Sequence, residues 1–265
     1  MTVLDEILAR KRDEVTMLHR PAVRDLLKQR ALDAPPTRDF TAAIRPDDGT
    51  LGLIAEIKRR SPSKGDLAPD LDPAANAKAY GTGGASALSV LTDQLFFGGS
   101  VADLEAAREA CDIPVLRKDF TIDEVQIYEA RAIGADAVLL ICAALPDDAL
   151  LADLHGLATA LGLAVLVETH NESELERAVG IGASIIGVNA RNLATFDEDL
   201  GLSERLRSMI PAEAVAVAES AIRSTEDAAR MAASGFDTVL VGEALVRSED
   251  PAILAASITA LHVTR

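Results

Sequence analysis

Tryptophan is absent from this 265-residue chain, and two tyrosines and six phenylalanines are all the aromatic residues it has. Stacking platforms for single-stranded nucleic acid need several rings, so that class of function is poorly served. Positive charge is also short: 26 Lys and Arg stand against 42 Asp and Glu, a formal net charge of −16. A phosphate backbone would be repelled by most of such a surface, which excludes nucleic acid as a partner. The acidic excess itself reads as solubility or a salty cytoplasm. Only two cysteines occur, Cys111 and Cys142, without metal-type spacing, and Cys142 sits in an apolar run where a thiol is a small hydrophobe. No apolar run approaches the ~20 residues of a membrane helix. The opening MTVLDEILARKRDEV is charged from its fifth residue, unlike a signal peptide. The expectation is a cytoplasmic protein in a reducing compartment, with no membrane association.

Aliphatic residues are abundant instead, and at 49% hydrophobic a chain of this length can bury one large core. Short β-rich runs fall at 52–58, 86–91, 113–117, 136–142, 163–168, 185–189, 214–219 and 237–241. Between them lie Ala-rich segments of helical period such as EVQIYEARAIGA and ESELERAVGIGA, the pattern of parallel strands joined by crossover helices. A weak repeat supports this: GGASALSVLT at 83, GADAVLLI at 134, GASIIGVN at 182 and GFDTVLVG at 235 each read as a helix end, a glycine cap and a strand. Four two-strand units make eight strands, whose closed solution is an α/β fold, the (β/α)₈ TIM barrel. An open doubly wound sheet is the alternative, but no GxGxxG turn follows the first strand.

About 50 residues precede the first run. LDEILARKRDEVTML has helical apolar spacing, and PAVRDLLKQRAL opens on a helix-start proline. The expected organisation is a helical extension with a linker over residues 1–50, covering one end of a catalytic barrel over residues 51–265. DAPPTRDF reads as the linker, with Phe40 as its anchor.

The stretch LGLIAEIKRRSPSKGDL, residues 51–67, carries the most chemical information. Strand alternation puts Glu56 and Lys58 on one face, ahead of a polar loop with Ser61, Ser63, Lys64 and Gly65. For an isolated Glu and Lys a surface salt bridge is the plain reading, so the other strand ends decide. Active sites of such barrels form at the carboxyl ends of the strands. The second run leads into a loop with Phe96 and Phe97, which either line a planar substrate or pack beneath the loop. The third ends in Lys118 and Asp119, followed by Phe120. The fourth ends in Cys142 and is assigned no chemistry. The fifth ends in Glu168, the sixth in Asn189 with Arg191 two residues on, the seventh in Glu219 and Ser220, and the eighth in Gly242 and Glu243. Polar groups repeated at the ends of apolar strands are hard to explain by folding alone, because buried charge is costly unless paired.

His170, beside Glu168, reads as a loop or cap residue. No cluster has metal-site spacing and no GxSxG nucleophile motif appears. The loops after strands 7 and 8, around Ser220, Gly242 and Glu243, suit a phosphate site, although Gly242 by itself could be an ordinary strand-end glycine.

Taken together, AEIKRRSPSKGDL, SVLTDQLFFGGS, LRKDFTIDEVQIYEA, LVETHNESELERA, IGVNARNL, VAESAI and VGEAL resemble indole-3-glycerol-phosphate synthase of tryptophan biosynthesis, in order over residues 1–262. The resemblance implies a (β/α)₈ barrel with an N-terminal helical extension. It also implies a cofactor-independent and metal-free lyase that converts a carboxyphenylamino-deoxyribulose 5-phosphate to indole-3-glycerol phosphate, releasing CO₂ and water. Lys118 would be the general acid, with Lys58, Glu168, Glu56 and Asn189 completing the catalytic group. Ser61, Arg191, Glu219, Ser220, Gly242 and Glu243 would form the binding shell, with phosphate at Ser220 and Gly242, while Phe97 and Phe120 border the aromatic ring. The expected partner is this small phosphosugar-anthranilate substrate, the expected state a monomer, and association with other enzymes of the tryptophan pathway is the remaining partner expectation.

One departure stands out. The family usually reads ESGI where this chain has Glu219, Ser220, Ala221 and Ile222. A glycine lets the backbone approach an anion, whereas Ala221 adds a methyl or forbids positive φ.

Overall fold

Each apolar run becomes a parallel strand because it is bounded by a helix end on one side and a polar loop on the other. The computed structural model describes residues 2–192 and 195–264, so Leu193 of the IGVNARNL motif lies outside the described residues. The strands are β1 (Gly52–Ile57), β2 (Ala87–Leu91), β3 (Val115–Lys118), β4 (Ala137–Ile141), β5 (Ala164–Thr169), β6 (Ile185–Asn189), β7 (Val215–Glu219) and β8 (Thr238–Val241). All pair in parallel with their chain neighbours, and β8 returns to β1, with Gly52 opposite Thr238 and Ala55 opposite Val241. The barrel is therefore closed, and the open sheet is excluded. Gly84, Gly134, Gly182 and Gly235, one from each sequence repeat, take positive φ, the left-handed cap that stops each helix before its strand.

Period-2 alternation sorts every strand into two faces. Leu53, Ala55 and Ile57 of β1, Val165 and Val167 of β5, and Ala216 and Ala218 of β7 pack outward against the helices. Ile54, Leu116, Leu139, Leu166, Ile185, Val217 and Leu240 fill the barrel interior. The register continues upward: Glu56 follows Ile54, Lys118 follows Leu116, Glu168 follows Leu166, Asn189 follows Ile185 by four, and Glu219 follows Val217. The same parity turns Cys142 outward into the shell between strands and helices, which is why β4 contributes no polar group.

Two helices precede the barrel, α1 (Val3–Leu18) and α2 (Pro21–Asp33). Thr2 and Asp5 close a capping box on α1, and Pro21 occupies the first turn of α2. Only α1 reaches the catalytic end, where Val3, Leu4 and Ile7 lie over the barrel mouth; α2 packs on the flank, against the helix Glu124–Ala132. A buried cation ties α1 down: Lys11 is 2% exposed and lies 2.8 Å from Asp119 and 3.1 Å from Asp93. At the opposite end a short helix, Phe40–Ala43, plugs the barrel with Phe40 and Ile44, both fully buried. Thr238 donates its hydroxyl to the Ile44 carbonyl, and Gly52 lies so close to that carbonyl that a Cβ would overlap it. The loop after β1, read from sequence as irregular, holds a small hairpin, Arg60–Ser61 paired with Gly65–Asp66.

Candidate active site

The upper interior of the barrel opens into a cavity of about 150 Å³. Glu56, Lys58, Lys118, Glu168, Asn189, Glu219, Phe97, Phe120, Arg191, Ser220, Gly242 and Glu243 all line it. Residues up to 187 positions apart in the chain converge because every strand delivers its last inward side chain to one layer. Ser61 is the exception: it is buried in the hairpin strand, 3.5 Å from Ser63, and Ser63 with Pro62 faces the cavity instead. The turn of the hairpin reverses the face, so the hydroxyl that reaches the cavity comes two residues later.

Lys118 is the hub. Its ammonium donates to Glu168 Oε2 at 2.7 Å and to Glu219 Oε2 at 2.9 Å. Asn189 Nδ2 donates to Glu168 Oε1 at 3.0 Å, which fixes the carboxylate from the other side. Across the floor, Lys58 donates to Glu56, so the same-face pair is a direct ion pair, and it is sheltered inside the cavity rather than on the surface. Phe97 and Phe120 stack at 6.1 Å between centroids with their planes tilted by 37°, forming an apolar wall beside Lys118. Of the two readings of the loop after β2, Phe97 lines the cavity and Phe96 packs under it.

Two glycines make room for these carboxylates. A Cβ at Gly187 would overlap Glu219 Oε1, and one at Gly242 would overlap the Glu56 carboxyl. Gly242 is therefore more than a strand-end glycine; Gly187, one inward position before Asn189, carried no distinguishing signal in the sequence. Ala221 adopts φ 59° and Ser220 φ 65°, so the turn keeps its left-handed geometry although no glycine is present. The expectation that Ala221 forbids positive φ is corrected: the surrounding strand end imposes it, at a cost on the order of 1–2 kcal/mol.

The charges are unequal. Burial alone would lower the Lys118 pKa, but Glu168, Glu219 and Glu56 outweigh it and hold the ammonium well above its ordinary range. Burial would raise Glu168, yet Lys118 and His170 pull it well below the usual carboxylate value. Glu219 goes the other way: burial and then the Glu168 charge raise it, against the opposing pull of Lys118. One ammonium thus stands between two carboxyl groups whose affinities for a proton are pushed in opposite directions. Glu219 Oε1 is buried and has no hydrogen-bond partner, leaving it available to a bound hydroxyl.

Two groups escaped the reading of the sequence. His170 is the loop residue expected, just before the N-cap Asn171 and with its backbone N–H donating to Glu174, but its ring also has charged neighbours: Nε2 lies 3.3 Å from Glu168 Oε1 and Nδ1 3.1 Å from Glu174 Oε2. Its position two residues after Glu168, on the same strand parity, was the available signal. Glu198 binds Arg191 through one oxygen and Arg223 through the other, fastening the loops after β6 and β7 together. Nothing in the local sequence marks Glu198, since only the loop's path brings it to Arg191. Among the described residues no group of three or more His, Cys, Asp or Glu could hold a metal ion, and no helix is long and apolar enough to cross a membrane.

Comparison with known proteins agrees with this geometry. Residues 4–258 match the family model described as indole-3-glycerol phosphate synthase. The chain is 54% identical over 263 residues to the indole-3-glycerol phosphate synthase of Arthrobacter sp. (strain FB24), covering 98% of this chain and 96% of that one. It is 48% identical over 261 residues to the enzyme of the same name from Laribacter hongkongensis (strain HLHK9), covering 97% and 99%. Among solved structures, thiamine phosphate pyrophosphorylase from Pyrococcus furiosus superposes with a TM-score of 0.60 at 17% identity, covering 79% of this chain and 94% of that one, a likeness of fold alone. With the match running almost end to end, the chain belongs to the indole-3-glycerol phosphate synthase family.

Proposed function

We propose that the chain catalyses ring closure, decarboxylation and dehydration of 1-(2-carboxyphenylamino)-1-deoxy-D-ribulose 5-phosphate to indole-3-glycerol phosphate, as a cofactor-independent carboxy-lyase in the cytoplasm. The observation that carries this reading is Lys118, whose ammonium is held between two carboxyl groups beside an aromatic wall.

The substrate aryl ring lies against Phe97 and Phe120, with its ribulose carbonyl at Lys118. The ring carbon bearing the carboxylate attacks that carbonyl; a C–C bond forms and the oxygen takes the Lys118 proton, becoming a hydroxyl. The C–CO₂ bond then breaks, and its electron pair restores the aromatic ring. In the dehydration, the hydroxyl leaves as water with a proton from an acid, while a proton from the neighbouring CH₂ passes to Glu168. A well-placed general acid contributes on the order of 10²–10⁴ in rate. Asn189 and Glu56 orient Glu168 and Lys58, and Lys58 and Arg191 face the substrate carboxylate. Glu219 and Glu243 take substrate hydroxyls, Ser220 and Gly242 the phosphate, and Ser61 supports that shell through Ser63. Residues 1–50 act as an extension whose first helix roofs the site.

The test is turnover. Purified protein given this substrate in the presence of a chelator, without added metal or nucleotide, should generate indole absorbance. Folded protein that yields none would overturn the assignment.

A further inference from the structure

Adjoining the substrate cavity, and sharing Leu4, Asn189 and Arg191 with it, lies a second cavity of about 520 Å³, termed the rear cavity, which is also lined by His170 and Glu174. Three observations converge there. Glu168, in the substrate cavity, turns one oxygen to Lys118 and the other toward His170, which lines the second cavity. His170 Nε2 is buried without a hydrogen-bond partner, although Glu168 Oε1 is only 3.3 Å away. On its other side the imidazole is clamped by Glu174, which accepts from Nδ1 at 3.1 Å and from the His170 backbone N–H at 2.8 Å.

The chemistry requires a proton supply. The substrate enters with its carboxylate ionised and that group leaves as neutral CO₂. The dehydration consumes one acid proton and returns one to a base. Each turnover therefore takes up one net proton, which leaves Lys118 for the carbonyl oxygen and must be replaced from solvent. Val3, Leu4 and Ile7 of α1 and the aromatic wall line the front cavity, so bound substrate would stand between Lys118 and solvent on that side.

We propose that His170, backed by Glu174, is the proton port of this site, passing one solvent proton per turnover from the rear cavity to Glu168 Oε1, whose other oxygen returns it to Lys118. The inference rests on the reaction proposed above. His170 acts through Glu168 and is a relay and positioning residue, not one that touches substrate. The charged groups facing it are Glu168 from β5 and Glu174 from the helix Glu172–Gly180 that follows it; Arg191, Asp197 and Asp199 also line the rear cavity, and Leu4 of α1 is apolar. The two carboxylates raise the imidazole to about 9 against the opposing effect of burial, so it carries a proton to donate at neutral pH.

The experiment compares wild type, His170→Asn and Glu174→Gln in steady-state turnover across pH, with and without added imidazole. In His170→Asn, kcat should fall about tenfold or more while KM stays within twofold. Imidazole, for which the rear cavity has room, should restore part of that loss. Glu174→Gln should move the alkaline limb of the kcat profile to lower pH, since it removes one of the charges that sustain the imidazolium. Wild type that turns over, with His170→Asn equally fast or slow without any rescue, overturns the relay alone; wild type that does not turn over overturns the underlying reaction instead. Should His170→Asn fail to fold, an unmoved alkaline limb in Glu174→Gln overturns the relay by itself.

Discussion

Lys11 of α1 and Asp119, the residue after Lys118, form a buried ion pair of 2.8 Å. A helix outside the barrel is thereby attached to the backbone that carries the central ammonium. Asp119 also accepts from Thr92 at 2.6 Å and from Arg117 at 3.2 Å, so the strand end is held from three directions.

Lys11→Met leaves Asp119 and Asp93 without their shared cation. Breaking a buried pair from one side costs about 3–5 kcal/mol, and the urea midpoint should fall accordingly with an unchanged slope. A shift below about 1 kcal/mol would show that Arg117 and Thr92 already satisfy Asp119.

Lys118→Met removes the acid and keeps the stem of the side chain. The rate constant kcat should drop on the order of 10²–10⁴-fold while inorganic phosphate inhibits as it does in wild type. Near-normal kcat with lost phosphate inhibition would reverse the roles assigned to Lys118 and to the Ser220 turn.

Stability should decline on both sides of neutrality. Asp119 is depressed to about 2 against burial by Arg117 and Lys11, so its contribution is complete above its unfolded value near 3.8 and is lost as pH falls from there to about 2. Glu168, also depressed, acts in the same direction. His170 is raised to about 9, so its contribution is complete below about 6.5 and is lost as pH climbs from there to about 9. Glu219, raised from 4.5 to about 8, has a contribution that is complete below about 4.5 and is lost as pH climbs from there to about 8. The His170 part has an upper limit of about 3 kcal/mol. Denaturant titrations from pH 6 to 9.5 check this; a flat profile for wild type contradicts a charged His170.

Ala221→Gly relieves a left-handed alanine. The relief of about 1–2 kcal/mol is partly offset by the greater unfolded-state freedom of glycine, about 0.4–1 kcal/mol. A net gain of about 0.5–1 kcal/mol should appear as a melting temperature higher by a degree or more. A lower melting temperature would mean that the alanine methyl packs usefully.

Gly187→Ala pushes a methyl into Glu219. Overpacking of this kind costs about 1–3 kcal/mol, and kcat should fall because Glu219 can no longer share Lys118 with Glu168. An alanine variant with wild-type kcat would remove Glu219 from the working site.

The amino-acid sequence alone determined the eight strands, their parallel order and the polar residue at the end of nearly every one. These follow from local rules: continuous apolar runs, helical periodicity between them, and an alternation that holds whatever the rest of the chain does. It equally determined that Cys142 would stand apart, since parity turns it outward. What only the tertiary structure decided is who meets whom. Lys118 lies between Glu168 and Glu219, fifty and one hundred and one residues away, because barrel closure brings non-adjacent strand ends into one layer. The space that Gly187 leaves for Glu219 is a product of the same closure, whereas the burial of Lys11 comes from the docking of α1 and the bridge of Glu198 to Arg191 from the path of their loop. His170 remains a loop residue after β5, and its contacts with Glu168 and Glu174, two and four residues away, are local; what the fold adds is their burial beside Lys118.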